Sequence, residues 1–114
     1  MHETSVMISL LTRVEAEARA AGASRVTVIR LRAGELSGVE PVSLLSAFDL
    51  LAPGTIAEGA RLEIEPEPLV ADCVDCGHRF RVEAFRFSCP TCHGGQTRIA
   101  AGNDLMLESV TVAP

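Results

Sequence analysis

The sequence predicts an α+β protein: a small three-stranded mixed sheet with two helices, plus an inserted zinc-ribbon-like module. Three observations predict it. Two stretches, Glu3 to Ala21 and Pro41 to Leu51, repeat apolar residues at helical spacing. Three others, Arg25 to Ala33, Arg61 to Glu65 and Leu105 to Val112, are rich in β-branched and aliphatic residues at strand length. All four cysteines fall between the second and third of these strands, in two Cys-x-x-Cys pairs. The expected domains are therefore residues 1–67 with 103–114, a discontinuous α/β unit, and residues 68–102, a metal-binding module.

The first helix places Met7, Leu10, Leu11, Val14, Ala18 and Ala21 on one face and Arg13, Glu17 and Arg19 off it. Glu3 suits the positive end of the helix dipole, and Gly22 suits the position just past its end. Thr27, Ile29, Leu31 and Ala33 share a face of the first strand, which leads into the turn Gly34–Gly38. Pro41 fits the first position of the second helix, whose expected buried stripe is Leu44, Leu45, Phe48 and Leu51. Ala52-Pro-Gly54 ends it. Leu62 and Ile64 point inward from the second strand, and Glu63 and Glu65 outward. Pro66 and Pro68 mark a boundary, and Gly102-Asn-Asp104 turns the chain into the last strand.

The cysteine pairs are Cys73 with Cys76, and Cys89 with Cys92, separated by twelve residues. Two such knuckles at this distance point to one tetrahedral zinc site. Zinc suits four thiolates because it is borderline-soft and does not change redox state. A thioredoxin-type redox motif occurs once, at a helix start, whereas here there are two, each beside a turn former, Gly77 or Pro90. Four protein ligands leave no open position for water, so the expected zinc is structural. The module needs it. Its apolar side chains are few: Leu69, Val70, Val74, Phe80, Val82, Phe85, Phe87 and Ile99. Segments below about 40 residues seldom fold alone, and structural zinc supplies an apparent ~10–16 kcal/mol.

The chain of 114 residues carries a net charge of −5, and every basic residue is arginine. The module holds four Arg against three acidic residues; four thiolates and one Zn²⁺ bring its charge to about −1. That is a poor footprint for nucleic acid. No stretch approaches the ~20 apolar residues of a membrane span. The N-terminus reads as no signal peptide, so the expected location is cytoplasmic, where thiolate–metal ligation is favoured over disulfides.

The other chemically informative place is the start. The α-amine of Met1, the backbone nitrogen of His2 and the His2 imidazole can close fused chelate rings around one metal, a planar nitrogen set that suits Ni(II) or Cu(II). A histidine at position 2, taken alone, is more often a plain exposed side chain. His78 and His93 each sit beside a knuckle. They read either as solvated loop residues or as groups near enough to tune the zinc site or exchange into it. Phe80, Phe85 and Phe87 read as packing around the metal rather than as a stacking platform for bases.

These motifs add up to a resemblance. The Met1-His2-Glu3 start, the segment Arg25-Val-Thr-Val running into Gly34-Glu-Leu-Ser-Gly-Val-Glu40, the strand Leu62-Glu-Ile before the two knuckles, and Gly102-Asn-Asp-Leu before a strand containing Glu108-Ser109 resemble the HypA/HybF family of hydrogenase nickel-insertion metallochaperones. The resemblance covers essentially the whole chain. It implies a non-enzymatic carrier that binds Ni²⁺ through His2, with Met1 and Glu3 as main-chain donors, and holds structural Zn²⁺ on Cys73, Cys76, Cys89 and Cys92. It implies as partners a nickel-handling GTPase of the maturation pathway and the large-subunit precursor of [NiFe]-hydrogenase, with urease accessory proteins served by some members. The rival reading is a zinc-ribbon adaptor binding protein or nucleic acid. A zinc hydrolase is disfavoured by the closed four-thiolate site and the lack of a poised base.

Overall fold

In the computed structural model the described residues are 2–114. They form α1 (Glu3–Ala20), β1 (Arg25–Gly34), α2 (Pro41–Leu51), β2 (Arg61–Glu67), β3 (Val70–Cys73), β4 (Arg79–Arg81), β5 (Thr97–Ala101) and β6 (Leu105–Ala113). The chain divides into two compact units: Met1–Arg32 with Gly38–Glu65 and Met106–Pro114, and Ala33–Ser37 with Pro66–Leu105.

The larger unit is built on the sheet β2-β1-β6. Thr27 donates to the Thr111 carbonyl and the Gly34 amide to the Asp104 carbonyl, so β6 runs antiparallel to β1. Arg30 reaches Glu63 and the Glu35 amide donates to the Glu67 carbonyl, so β2 runs parallel to it. The sheet is mixed, as the pattern predicts. Ile29, Leu31 and Ala33 are buried, and Val26 breaks the alternation by being buried as well. β2 continues through Pro66, two residues further than the pattern suggests; on an edge strand the missing N–H has an open side to face.

α1 buries Met7, Val14 and Ala18, with Leu10 and Leu11 half-buried. Ala21 falls off the stripe because it is the C-cap. Gly22 takes φ +71°, and the amides of Gly22 and Ala23 donate to the carbonyls of Arg19 and Ala18, closing the helix with a Schellman motif. At the start of α2 the Glu40 carboxylate accepts from the Val42 amide and Pro41 occupies the first turn. α2 buries Leu44, Ala47 and Phe48. Leu45 does not join them. It is 40% exposed, because the helix turns its neighbours Leu44 and Phe48 to the core and Leu45 away.

The smaller unit has its own sheet, β4-β3-β5, which periodicity did not reveal in such short segments. β3 pairs antiparallel with β4, setting Ala71 opposite Phe80 and Asp72 opposite Arg79, and antiparallel with β5, with a register shift between Val70 and Ala71. Its core is Leu69, Ala71, Cys73, Phe80, Val82 and Cys89, with Phe87 packed against them. The segment Ala33–Ser37 belongs here through backbone bonds from Glu35 to Glu67 and from Leu36 to Gly102 and through the Arg81–Glu35 ion pair. Phe85 is not part of this core; it is 67% exposed on the turn Glu83–Arg86.

Candidate metal centres

The two knuckles are built alike. In the first, the Gly77 amide donates to the Cys73 carbonyl; in the second, the His93 amide donates to the Cys89 carbonyl, both at 2.9 Å. In each the residue after the second cysteine takes a left-handed conformation, φ +77° at Gly77 and φ +61° at His93. The first cysteine of each pair is buried in the module's core and the second is exposed. The four sulfurs lie within 4.8 Å of one another. Cys73 and Cys92 are 3.5 Å apart, and Cys76 and Cys89 3.6 Å. A tetrahedron with Zn–S of about 2.3 Å has edges of about 3.8 Å, so the donor set and its spacing fit zinc.

The local field differs from sulfur to sulfur. The backbone of Cys92, and then of Thr91, directs hydrogen bonds at Cys89 and holds its thiol down at about 6 in spite of burial. Cys92 receives the Gly94 amide, which favours its thiolate, yet the Cys73 and Cys76 sulfurs beside it push it up to about 12. At Cys76 the His78 backbone favours the thiolate, but partial desolvation by the knuckle around it and the Cys89 sulfur together raise it. Four crowded sulfurs that disfavour being charged together are the surroundings in which a dication is a strong counter-charge.

Neither neighbouring histidine belongs to the sulfur group. His78 is exposed and its ring stacks on Phe80 at 6.3 Å, while its carbonyl accepts from the Cys73 amide. His93 is exposed on its strained turn. Sequence reasoning missed Asp75. A Cβ on Gly94 would lie 2.6 Å from the Asp75 carboxylate and 3.2 Å from the Cys92 sulfur, so the acid folds over the second knuckle. Gly94 leaves the room that the carboxylate occupies, a contact with no local mark in the sequence.

At the other candidate centre, Met1 lies outside the described residues. His2 is the N-cap of α1, with extended backbone (φ −80°, ψ 140°), and its side chain caps nothing. Its carbonyl accepts the first helical bond, from Val6. His2 and Glu3 edge a shallow groove whose other wall is α2, at Val42, Ser46 and Leu50. The sequence showed His2 and α2 but not that they share a groove.

A family model described as "Hydrogenase/urease nickel incorporation, metallochaperone, hypA" matches residues 1–112. The chain belongs to the HypA family. It is 40% identical over 112 residues to the hydrogenase maturation factor HypA of Chlorobium limicola, covering 98% of this chain and 97% of that protein. It is 43% identical over 110 residues to HypA of Aquifex aeolicus, covering 96% of each. Among solved structures, the solution structure of the Ni metallochaperone HypA from Helicobacter pylori superposes with a TM-score of 0.73 at 30% identity, over 98% of this chain and 97% of that one. A second solution structure of a HypA protein gives 0.77 at 30% identity, over 99% and 97%. HypA membership accounts for the α+β fold, the clustered cysteines and a role in hydrogenase maturation. No helix among the described residues is long and apolar enough to cross a membrane.

Proposed function

We propose that this chain carries Ni(II) at its N-terminus for [NiFe]-hydrogenase maturation and that zinc on Cys73, Cys76, Cys89 and Cys92 holds the smaller unit together. Residues 1–67 with 103–114 serve as the nickel domain and 68–102 as the zinc domain. The observation that carries the nickel reading is the start of α1. The helix begins at Glu3, and His2 is an exposed N-cap with no capping side chain. The first amides of a helix have no intrahelical acceptor. The amide nitrogens of His2 and Glu3 can therefore give up protons to a metal without breaking a helical bond. The His2 imidazole stands beside them, and the Met1 amine completes a nitrogen set suited to square-planar nickel.

The zinc role is structural, since four sulfurs leave no coordination position for a substrate. The protein acts as a carrier, not an enzyme, in the cytoplasm. It takes part with a nickel-handling GTPase and delivers to the hydrogenase large-subunit precursor, with urease accessory proteins as further recipients. His78 and His93 flank the zinc site as groups within reach of exchange.

Nickel titration of four forms tests the terminal chelate: unmodified, N-acetylated, His2→Ala and C-terminally tagged. N-acetylation and His2→Ala each weaken nickel binding by more than the roughly 10–100-fold that loss of a mere outer-shell partner costs. The C-terminal tag changes nothing, and zinc content is the same in all four. Affinity rises with pH through the neutral range, because an amine of reference pKa ~7.7–8.0 must lose its proton. Equal affinity of acetylated and unmodified protein removes the amine from the ligand set.

A further inference from the structure

The smaller unit aims one aromatic ring at solvent. The turn Glu83–Arg86 closes with the Arg86 amide donating to the Glu83 carbonyl at 3.0 Å. Its two central residues, Ala84 and Phe85, both take left-handed backbone, φ +51° and +56°. A turn of that hand is ordinarily filled by Asn-Gly, because an L side chain is strained there. Two successive residues other than glycine hold it here because the chain is pinned on both sides: Val82 is buried, and Phe87 packs against the core. The result is a Phe85 ring that is 67% exposed while Phe80 and Phe87 lie inward. A lone exposed apolar residue means little on any surface. A strained turn that exposes one is different, since strain of this kind persists where it positions a contact.

The next residue narrows what the ring meets. The Arg86 guanidinium has no acceptor among the described residues, whereas Arg79 is tied to Asp72 and Arg81 to Glu35. Arg86 also lines a shallow groove with Phe80, Arg81, Ser88 and Pro90, which leaves room beside the ring for another chain. Aromatic residues and arginine are the side chains that most often carry the binding energy of protein interfaces. We propose that Glu83–Arg86 is an anchor for a protein partner: Phe85 enters an apolar socket on that partner, and Arg86 pairs with a carboxylate at the socket's rim. Other occupants fit poorly. One exposed ring is no platform for successive bases, and Glu83 in the same turn opposes phosphate. A membrane surface asks for a cluster of basic groups, and this turn offers one free arginine on a chain of net charge −5.

His2 belongs to the other compact unit, so the anchor works whether or not nickel is bound. The choice of partner rests on the maturation role proposed above; the anchor itself rests on the turn.

Biolayer interferometry of the full-length, zinc-loaded chain against the purified pathway GTPase and, separately, the purified hydrogenase large-subunit precursor tests the proposal. At least one of them binds, and Phe85→Ala and Arg86→Glu each weaken that binding about tenfold or more. Circular dichroism and zinc content of both variants match those of wild type. The double variant Ala84→Asn, Phe85→Gly supplies the decisive contrast: it relieves the turn, so the melting temperature rises while binding is lost. A residue that served only the fold would move both downward. Partner binding indifferent to Phe85→Ala overturns the proposal, as does a wild-type chain that binds neither protein. Retention on single-stranded RNA that Phe85→Ala abolishes makes the turn a nucleic-acid contact and overturns it too. Nickel titration is the same for wild type and Phe85→Ala, so a failure of the carrier reading shows there and a failure of the anchor shows in the interferometry.

Discussion

Gly34 and Gly102 meet backbone to backbone in the smaller unit. A Cβ on Gly34 would fall on the carbonyl group of Gly102 and within 2.9 Å of the Asn103 nitrogen. A Cβ on Gly102 would collide with the Pro68 carbonyl and come within 2.6 Å of the Leu69 Cα. All these neighbours are main chain, which cannot swing aside. Gly102 also sits at φ +91°, where an L side chain is strained. Either glycine to alanine is expected to destabilise the smaller unit by about 2 kcal/mol or more, from overpacking alone. Thermal melts should show the loss in the zinc-loaded protein. An unchanged melting temperature for both variants would mean the contact relaxes freely.

Cys89 is the sulfur best prepared to ionise, and it lies in the module's core. Cys89→Ala should lose zinc and loosen residues 68–102, while α1, α2 and the larger sheet keep their amide NMR pattern. Elemental analysis reads the metal. Full zinc retention in this variant would sink the four-thiolate assignment.

His93 holds a left-handed conformation in the place where its counterpart in the first knuckle is Gly77. For an L residue that conformation costs ~1–2 kcal/mol. His93→Gly should recover about 1 kcal/mol of it, a roughly fivefold gain in zinc retention against a competing chelator. If zinc is instead lost more readily, the imidazole itself contributes to holding the metal.

Arg30 donates to Glu63 at 2.8 Å on the open face of the larger sheet. That hydrogen bond, helped by Arg61, holds the Glu63 carboxyl below its ordinary 4.5. A depressed carboxyl contributes stability above its unfolded value and loses it as pH falls through the folded one. The difference in stability between wild type and Arg30→Ala should therefore be constant above about pH 5 and vanish in more acid solution. It should also shrink with salt, since both groups are partly in solvent. Carbon-detected NMR of Glu63 should show its titration moving up in Arg30→Ala; an unmoved midpoint would show the pair contributes nothing.

The two helices, the three-stranded mixed sheet and the cysteine cluster were legible because each obeys a strong local rule: spacings of three and four, strand propensity, and paired knuckles. Leu45 was misplaced because the polar line of α2, Ser43, Ser46 and Asp49, is narrow, and the apolar residues that wrap the rest of the helix do not say which of its flanks is buried. Phe85 was misplaced because aromatic character says nothing about a turn that aims its side chain outward. β3, β4 and β5 run from three to five residues, too short for periodicity to register, and pairing rather than pattern defines them. The Gly34–Gly102 contact joins residues far apart in the chain, and no local signal marks it.

The larger sheet has two free margins, and they are not alike. β2 carries Pro66 together with Glu63, Glu65 and Glu67, whereas β6 offers nine residues with a single acid, Glu108, already tied to Arg32. Proline and charge discourage strand-on-strand growth; a long, nearly uncharged margin invites it. Spoilage of this protein on storage or during overproduction would thus be one-sided, with stray strands adding at Leu105–Ala113 while the opposite margin stays inert. A lysine introduced at an outward position of β6, such as Thr111, would extend shelf life without touching either metal centre.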